Sequence, residues 1–198
     1  MNIIAHLTIG HKIQPILEDR LDIIIKPVSF LYGNIRPDVK KRDMKYHVNH
    51  HCVTHLNTLV NSLYSNIDNG ITYSNFMIEL GSICHFICDY FCYPHNEHYD
   101  GSRPDHHIYE QNQVFFINKN INSILNNLVL EPYELFNCPK DILAEIFSIH
   151  DEYLNDTTLS NHEKDVTYAL RACLLTTESL FRVYLARYRQ KKMLFKNA

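Results

Sequence analysis

The chain has 198 residues, 45% of them hydrophobic and 21% charged, with a formal net charge of −3 when histidines are counted neutral. That composition supports a buried core and excludes a disordered chain, and the charge gives no general affinity for polyanions, so nucleic acid is not a favoured partner. Five glycines and seven prolines are too few for the many tight turns of an all-β fold.

Residues 1–198 are expected to form a single domain. In "MNIIAHLTIGHKIQPILEDRLDIII", Ile3, Ile4, Leu7 and Ile9 begin a helix that is expected to end near Pro15 or soon after. The same stretch has no basic flank, long apolar core or small-residue cleavage site, and no run reaches bilayer length. A cytoplasmic protein is therefore expected, with Cys52, Cys84, Cys88, Cys92, Cys138 and Cys173 as reduced thiols. The stretch "SFLYGNIRPDVKKRD" is rich in turn residues and reads as a linker. Val53, Leu56, Val60, Leu63 and Ile67 then form an apolar stripe at helical spacing, stopped by "DNG".

From Ser74, "SNFMIELGSICHFICDYFCY" is mostly apolar and reads as a buried central helix ended by Pro94. A loop, "YPHNEHYDGSRPD", leads to a helix from near Pro104 towards Leu128. Pro139 marks the first turn of another helix. A last helix opens on Ser160 and Glu163 at capping-box spacing and closes with basic residues suited to a helix C-terminus. The expected fold is all-α, with ligands gathered between helices.

Residues 79–110 hold five of the thirteen histidines. His85 and Asp89 are four apart, so they share one helix face, and His106 and Glu110 repeat the geometry on the next helix. His95, just after Pro94, sits where the chain can turn back to the same point. A lone His–Asp pair at this spacing is usually a surface hydrogen bond. Two such pairs, set in an otherwise apolar "GSICHFICDYF" context, are harder to dismiss, because a buried Asp89 is costly unless paired or coordinated. Imidazoles with carboxylates suit zinc, and several carboxylates suit more than one ion. Cys84, Cys88 and Cys92 form a column at i, i+4 and i+8. A straight column cannot wrap tetrahedrally round one ion, so these thiols read as packing residues. Tyr90, Phe91, Tyr93, Tyr99 and Tyr109 read as core and rim aromatics, with a substrate-lining role as the alternative.

The order glycine, His85-x-x-x-Asp89, Pro94-His95, loop, His106-x-x-x-Glu110 resembles the bacterial zinc-dependent phospholipase C family, which shares its architecture with zinc-dependent single-strand nucleases. "SFLYGNIRPDV" resembles the family loop that bears an aspartate ligand, here Asp38, and His6 in "IAHLTI" is placed like its N-terminal histidine. The resemblance implies an all-helical fold holding two to three zinc ions. Asp38, a following histidine, His85 and Asp89 would hold one ion, and His95, His106 and Glu110 a second. His6 would help to hold a third, with Asp89 bridging. The histidine after Asp38 is assigned to His47, with His50 or His51 as alternatives. The family's secreted members bind the third ion through a mature N-terminal tryptophan. This chain has no tryptophan, so a third site of lower affinity, filled by His6, Asp89 and water, is expected.

The resemblance further implies a phosphodiester hydrolase in which metal-activated water attacks phosphorus, with Asp38 as the general base. The expected partner is a phosphoester small molecule or a phospholipid head group. The alternatives are a nuclease or nucleotidase on the same metal core, and a metal-binding protein without turnover.

Overall fold

The computed structural model describes residues 1–40, 49–130 and 134–196. Among them the structure is helical, with no strand: α1 (Ile3–Leu21), α2 (Pro27–Val39), α3 (Asn49–Asp68), α4 (Tyr73–Tyr90), a 3₁₀ turn (Tyr93–His95), α5 (Arg103–Leu130), α6 (Pro139–Asn155) and α7 (Asn161–Lys196). The all-α expectation holds.

Local chemistry explains several of the boundaries. Asn2 caps α1 by accepting the Ala5 N–H at 3.1 Å, and Thr72 caps α4 through Asn75 N–H. Ser102 and Asp105 cap α5 reciprocally: Asp105 accepts the Ser102 N–H at 3.0 Å, and Ser102 accepts the Asp105 N–H at 3.4 Å. The "DNG" stop ends α3 through Gly70, whose φ of 85° is the left-handed conformation that closes a helix.

Two expectations are corrected. α1 does not stop near Pro15 but carries that proline inside the helix and continues to Leu21. Proline removes one backbone hydrogen bond, but the buried column Ile9, Ile13 and Leu17 anchors both sides of it in the core. The stretch read as a linker is instead part of α2 as far as Val39, with Pro27 in the first turn of that helix and Pro37 within it, and its residues 41–43 lie outside the described residues. Its buried residues Phe30, Gly33, Asn34 and Pro37 follow helical spacing. Glycine and proline disguised the period.

Helix α4 runs through the middle, and Leu80 to Cys92 are all buried. α1, α2, α3 and α7 pack around it. A helix apolar on every side must be enclosed in this way. The expected stripe of α3 buries Leu56, Val60, Leu63 and Ile67 against the same core. At the end remote from the histidines, Phe76 lies edge-on to Phe181 and is stacked on Tyr184, holding α4 to α7.

The closest approach is between α2 and α4. A Cβ on Gly81 would lie 2.3 Å from Phe30 O and 2.9 Å from Gly33 Cα, and one on Gly33 would lie 2.3 Å from Ile78 O. Only two glycines allow the backbones to come so near. Ser82 Oγ donates to Gly33 O at 3.1 Å across the same contact. This crossing sets the height of α2 against His85 and Asp89. No helix among the described residues is long and apolar enough to cross a membrane.

Candidate metal centre

Five elements deliver donors to one buried place: α1 gives His6, the last turn of α2 gives Asp38, α4 gives His85 and Asp89, the 3₁₀ turn gives His95, and α5 gives His106 and Glu110. Asp89, with no exposed side-chain surface, lies at the middle. Its Oδ2 is 3.3 Å from His85 Nε2, and its Oδ1 is 3.3 Å from His6 Nε2 and 3.6 Å from His95 Nδ1. His85 Nε2 also faces Asp38 Oδ1 at 3.9 Å. On the other side, Glu110 Oε1 is 3.4 Å from His95 Nε2 and 3.2 Å from His106 Nε2. Two ligands of a tetrahedral zinc ion, each about 2.0–2.1 Å from the metal, are separated by roughly 3.3 Å. The donor set fits zinc in both chemistry and spacing.

The structure thus brings together seven of the eight residues singled out as ligands. The eighth, His47, and the side chain of its alternative His50 lie outside the described residues. His51 is exposed, and His55 packs edge-on to Phe86. The donors fall into two groups whose ligand atoms lie within 4.8 Å of one another: His6, Asp38 and His85, and then Cys92, His95 and Glu110.

Several contributors were not legible as such in the sequence. The Met1 main chain enters the cluster, its amino nitrogen 2.5 Å from Asp89 Oδ1 and 3.3 Å from both Glu110 Oε1 and His95 Nε2. Its carbonyl is 3.0 Å from His6 Nε2. The expected ligand set for a third site, His6, Asp89 and water, left out this main chain because the chain lacks tryptophan. His85 Nδ1–H donates to Asn34 O at 2.8 Å, which turns Nε2 towards Asp38 and Asp89. No side-chain type could announce a backbone carbonyl.

Beneath the cluster, Asp165 of α7 is fully buried. Its Oδ2 accepts from Tyr93 N–H at 3.0 Å, Tyr109 O–H at 2.8 Å and Gln113 Nε2 at 2.8 Å, while Tyr153 O–H binds Oδ1 at 2.9 Å. One carboxylate therefore ties the turn bearing His95 to the helix bearing His106 and Glu110. Tyr109 serves this anchor, and Tyr90 and Phe91 are buried core, as expected of core aromatics. His98 and His107 are exposed.

Burial disfavours the Met1 ammonium, but Asp89 beside it raises its pKa above the ordinary value, so one cation already balances the carboxylates. Burial pushes the Asp89 carboxyl up, but the Met1 ammonium and His95, His85 and His6 outweigh it and hold the group well below the usual carboxylate range. Glu110 is lowered in the same way, its burial overcome by the hydrogen bonds of His106 and His95. Burial, followed by the neighbouring His85, lowers His6 to about 3. Burial and the Met1 ammonium lower His95. Ionised carboxylates beside neutral imidazoles are the ligand-competent states.

A family model described as zinc dependent phospholipase C matches residues 5–165. No curated protein and no solved structure matches the chain. The matched segment contains every described side chain of the histidine–carboxylate cluster and ends on Asp165. The chain belongs to the zinc-dependent phospholipase C family.

Proposed function

We propose that the protein hydrolyses phosphodiesters, phospholipase C fashion, at a cluster of two to three zinc ions. Asp38, His85 and Asp89 hold one ion, with His47 completing it; His95, His106 and Glu110 hold a second. His6 and Asp89 contribute to a third, beside the Met1 main chain. The observation that carries this reading is the position of Asp89, a buried carboxylate with histidine nitrogens from three other places in the chain within 3.6 Å of its two oxygens.

Zinc, when bound, supplies Lewis-acid polarisation of the phosphoester oxygens and lowers the pKa of a water near neutrality. The chain's own residues do the rest. Asp38, whose side chain is 18% exposed, is the one carboxylate of the His6–Asp38–His85 group and sits at its solvent side. It takes the proton of the attacking water as the new oxygen–phosphorus bond forms; the ester bond opposite breaks, and the leaving alkoxide takes a proton from solvent. Asn34 O fixes the tautomer of His85, and Asp165 fixes the turn of His95 against α5. The partner is a phosphoester small molecule or a phospholipid head group.

The test is zinc content by plasma emission spectrometry, with hydrolysis of a chromogenic phosphodiester, phosphatidylcholine and single-stranded DNA. Two or more zinc ions per chain, fewer in both His85→Ala and His106→Ala, together with turnover abolished in Asp38→Asn, support the reading. A preference for DNA points to the nuclease alternative. Zinc without turnover on any substrate leaves a metal-binding protein.

A further inference from the structure

The Cys92 thiol lies where the sequence column gave it only a packing role. Its Sγ, a ligand nitrogen of His95 and a carboxylate oxygen of Glu110 all lie within 4.8 Å of one another. The residue has no exposed surface. Its main chain is pinned between two members of the cluster: Cys92 N–H donates to Asp89 O at 3.1 Å, and Cys92 O accepts His95 N–H at 2.9 Å and Asn96 Nδ2 at 2.8 Å.

The other buried thiols are engaged elsewhere. Cys88 Sγ faces Cys173 Sγ at 3.9 Å, Cys173 Sγ donates to Cys84 O at 3.7 Å, and Cys52 Sγ donates to Phe86 O at 3.3 Å. Cys92 makes a long 3.8 Å hydrogen bond to Gln113 Oε1, and Gln113 is in turn held by Asp165. Cys92, in contrast to these three thiols, lies against the donor cluster.

We propose that Cys92 is a thiolate ligand of the ion held by His95 and Glu110, which makes that centre a mixed sulfur, nitrogen and oxygen site. The inference rests on the zinc reading above and specifies one of its centres. On binding, the Sγ–H bond breaks as the metal–sulfur bond forms, and the proton leaves to solvent. Zinc–sulfur and zinc–nitrogen bonds of about 2.3 and 2.0 Å separate the two donors by roughly 3.5 Å, and His95 Nε2 and Glu110 Oε1 are already 3.4 Å apart. Sulfur ligation selects softer cations, and the centre prefers zinc, cobalt and cadmium to magnesium and calcium.

Cobalt(II) loaded into the full chain tests this. The expected spectrum combines visible d–d bands with a near-ultraviolet sulfur-to-cobalt charge-transfer band. That band persists in Cys52→Ser and Cys84→Ser and is lost in Cys92→Ser, which also binds its weakest cobalt at least about tenfold less tightly. Cadmium NMR of the unsubstituted protein gives a second reading that needs no variant, with one resonance displaced to the sulfur-ligated range. Stoichiometric cobalt with no charge-transfer band, or a band that survives Cys92→Ser, overturns the thiolate ligand and leaves the zinc cluster standing. Failure to bind cobalt, cadmium or zinc overturns both.

Discussion

Replacing Gly81 by alanine tests how the fold sets the metal centre. The added Cβ would lie 2.3 Å from Phe30 O, about 1 Å inside ordinary van der Waals contact, and 2.9 Å from both Asn34 N and Gly33 Cα. All three are backbone atoms, so no side chain can rotate away and α2 must lift from α4. Overpacking of this kind costs about 1–3 kcal/mol, while alanine returns up to ~1 kcal/mol through helix propensity. A net loss of about 1–2 kcal/mol corresponds to a fall in Tm of about 2–8 °C for a chain of this size. The same displacement stretches the 2.8 Å bond from His85 to Asn34 O beyond hydrogen-bond range and moves Asp38 away from His85. Zinc affinity should then fall about 10- to 100-fold. Thermal unfolding of the metal-free protein and a competitive zinc titration read the two effects separately. A variant with unchanged Tm and unchanged zinc affinity would refute the close α2–α4 approach as the device that positions the site.

Asp165→Asn leaves the four donors that now share two carboxylate oxygens with a single acceptor oxygen, and should cost about 1–3 kcal/mol; it should also weaken the His95–His106–Glu110 ion more than the His85–Asp38 ion, measured by stepwise zinc titration. Equal weakening of both ions would show that Asp165 acts on the whole fold. His150 is buried, with Nε2 donating to Tyr90 O and Asn96 Oδ1 at 3.1 Å, and burial lowers its pKa to about 4. The folded state then binds fewer protons than the unfolded one between pH 6.5 and 4, so its contribution is present above pH 6.5 and is lost as the pH falls through 4. The full effect is about 3 kcal/mol. Urea unfolding of His150→Gln should show a flatter profile over that window, and an identical slope would dismiss His150 as the group responsible. Free zinc at a hundred times its dissociation constant should raise stability by about 2.7 kcal/mol, visible as a rise in Tm that a chelator reverses. No shift would mean that zinc does not bind the folded state selectively.

The sequence by itself determined the helical class and the pairs His85–Asp89 and His106–Glu110, because both depend on spacing along one helix, which the 3.6-residue period fixes locally. It also marked Asp38, His6 and His95 through their motif contexts. It did not reveal α2, because Gly33, Pro27 and Pro37 look like turn residues until Gly81 is placed opposite Gly33. That pairing joins positions 48 residues apart, and no local pattern records it. The same holds for Asn34 O against His85, for Asp165 beneath the 3₁₀ turn, and for Cys92, whose column with Cys84 and Cys88 runs straight only while the helix lasts. α4 ends at Tyr90, so Cys92 is already in the turn towards His95 and its thiol takes a new direction. Periodicity determined which residues share a face; the tertiary structure decided which faces meet, because the closeness of backbones, the reach of carbonyls and the burial of carboxylates are properties of packed pairs of elements.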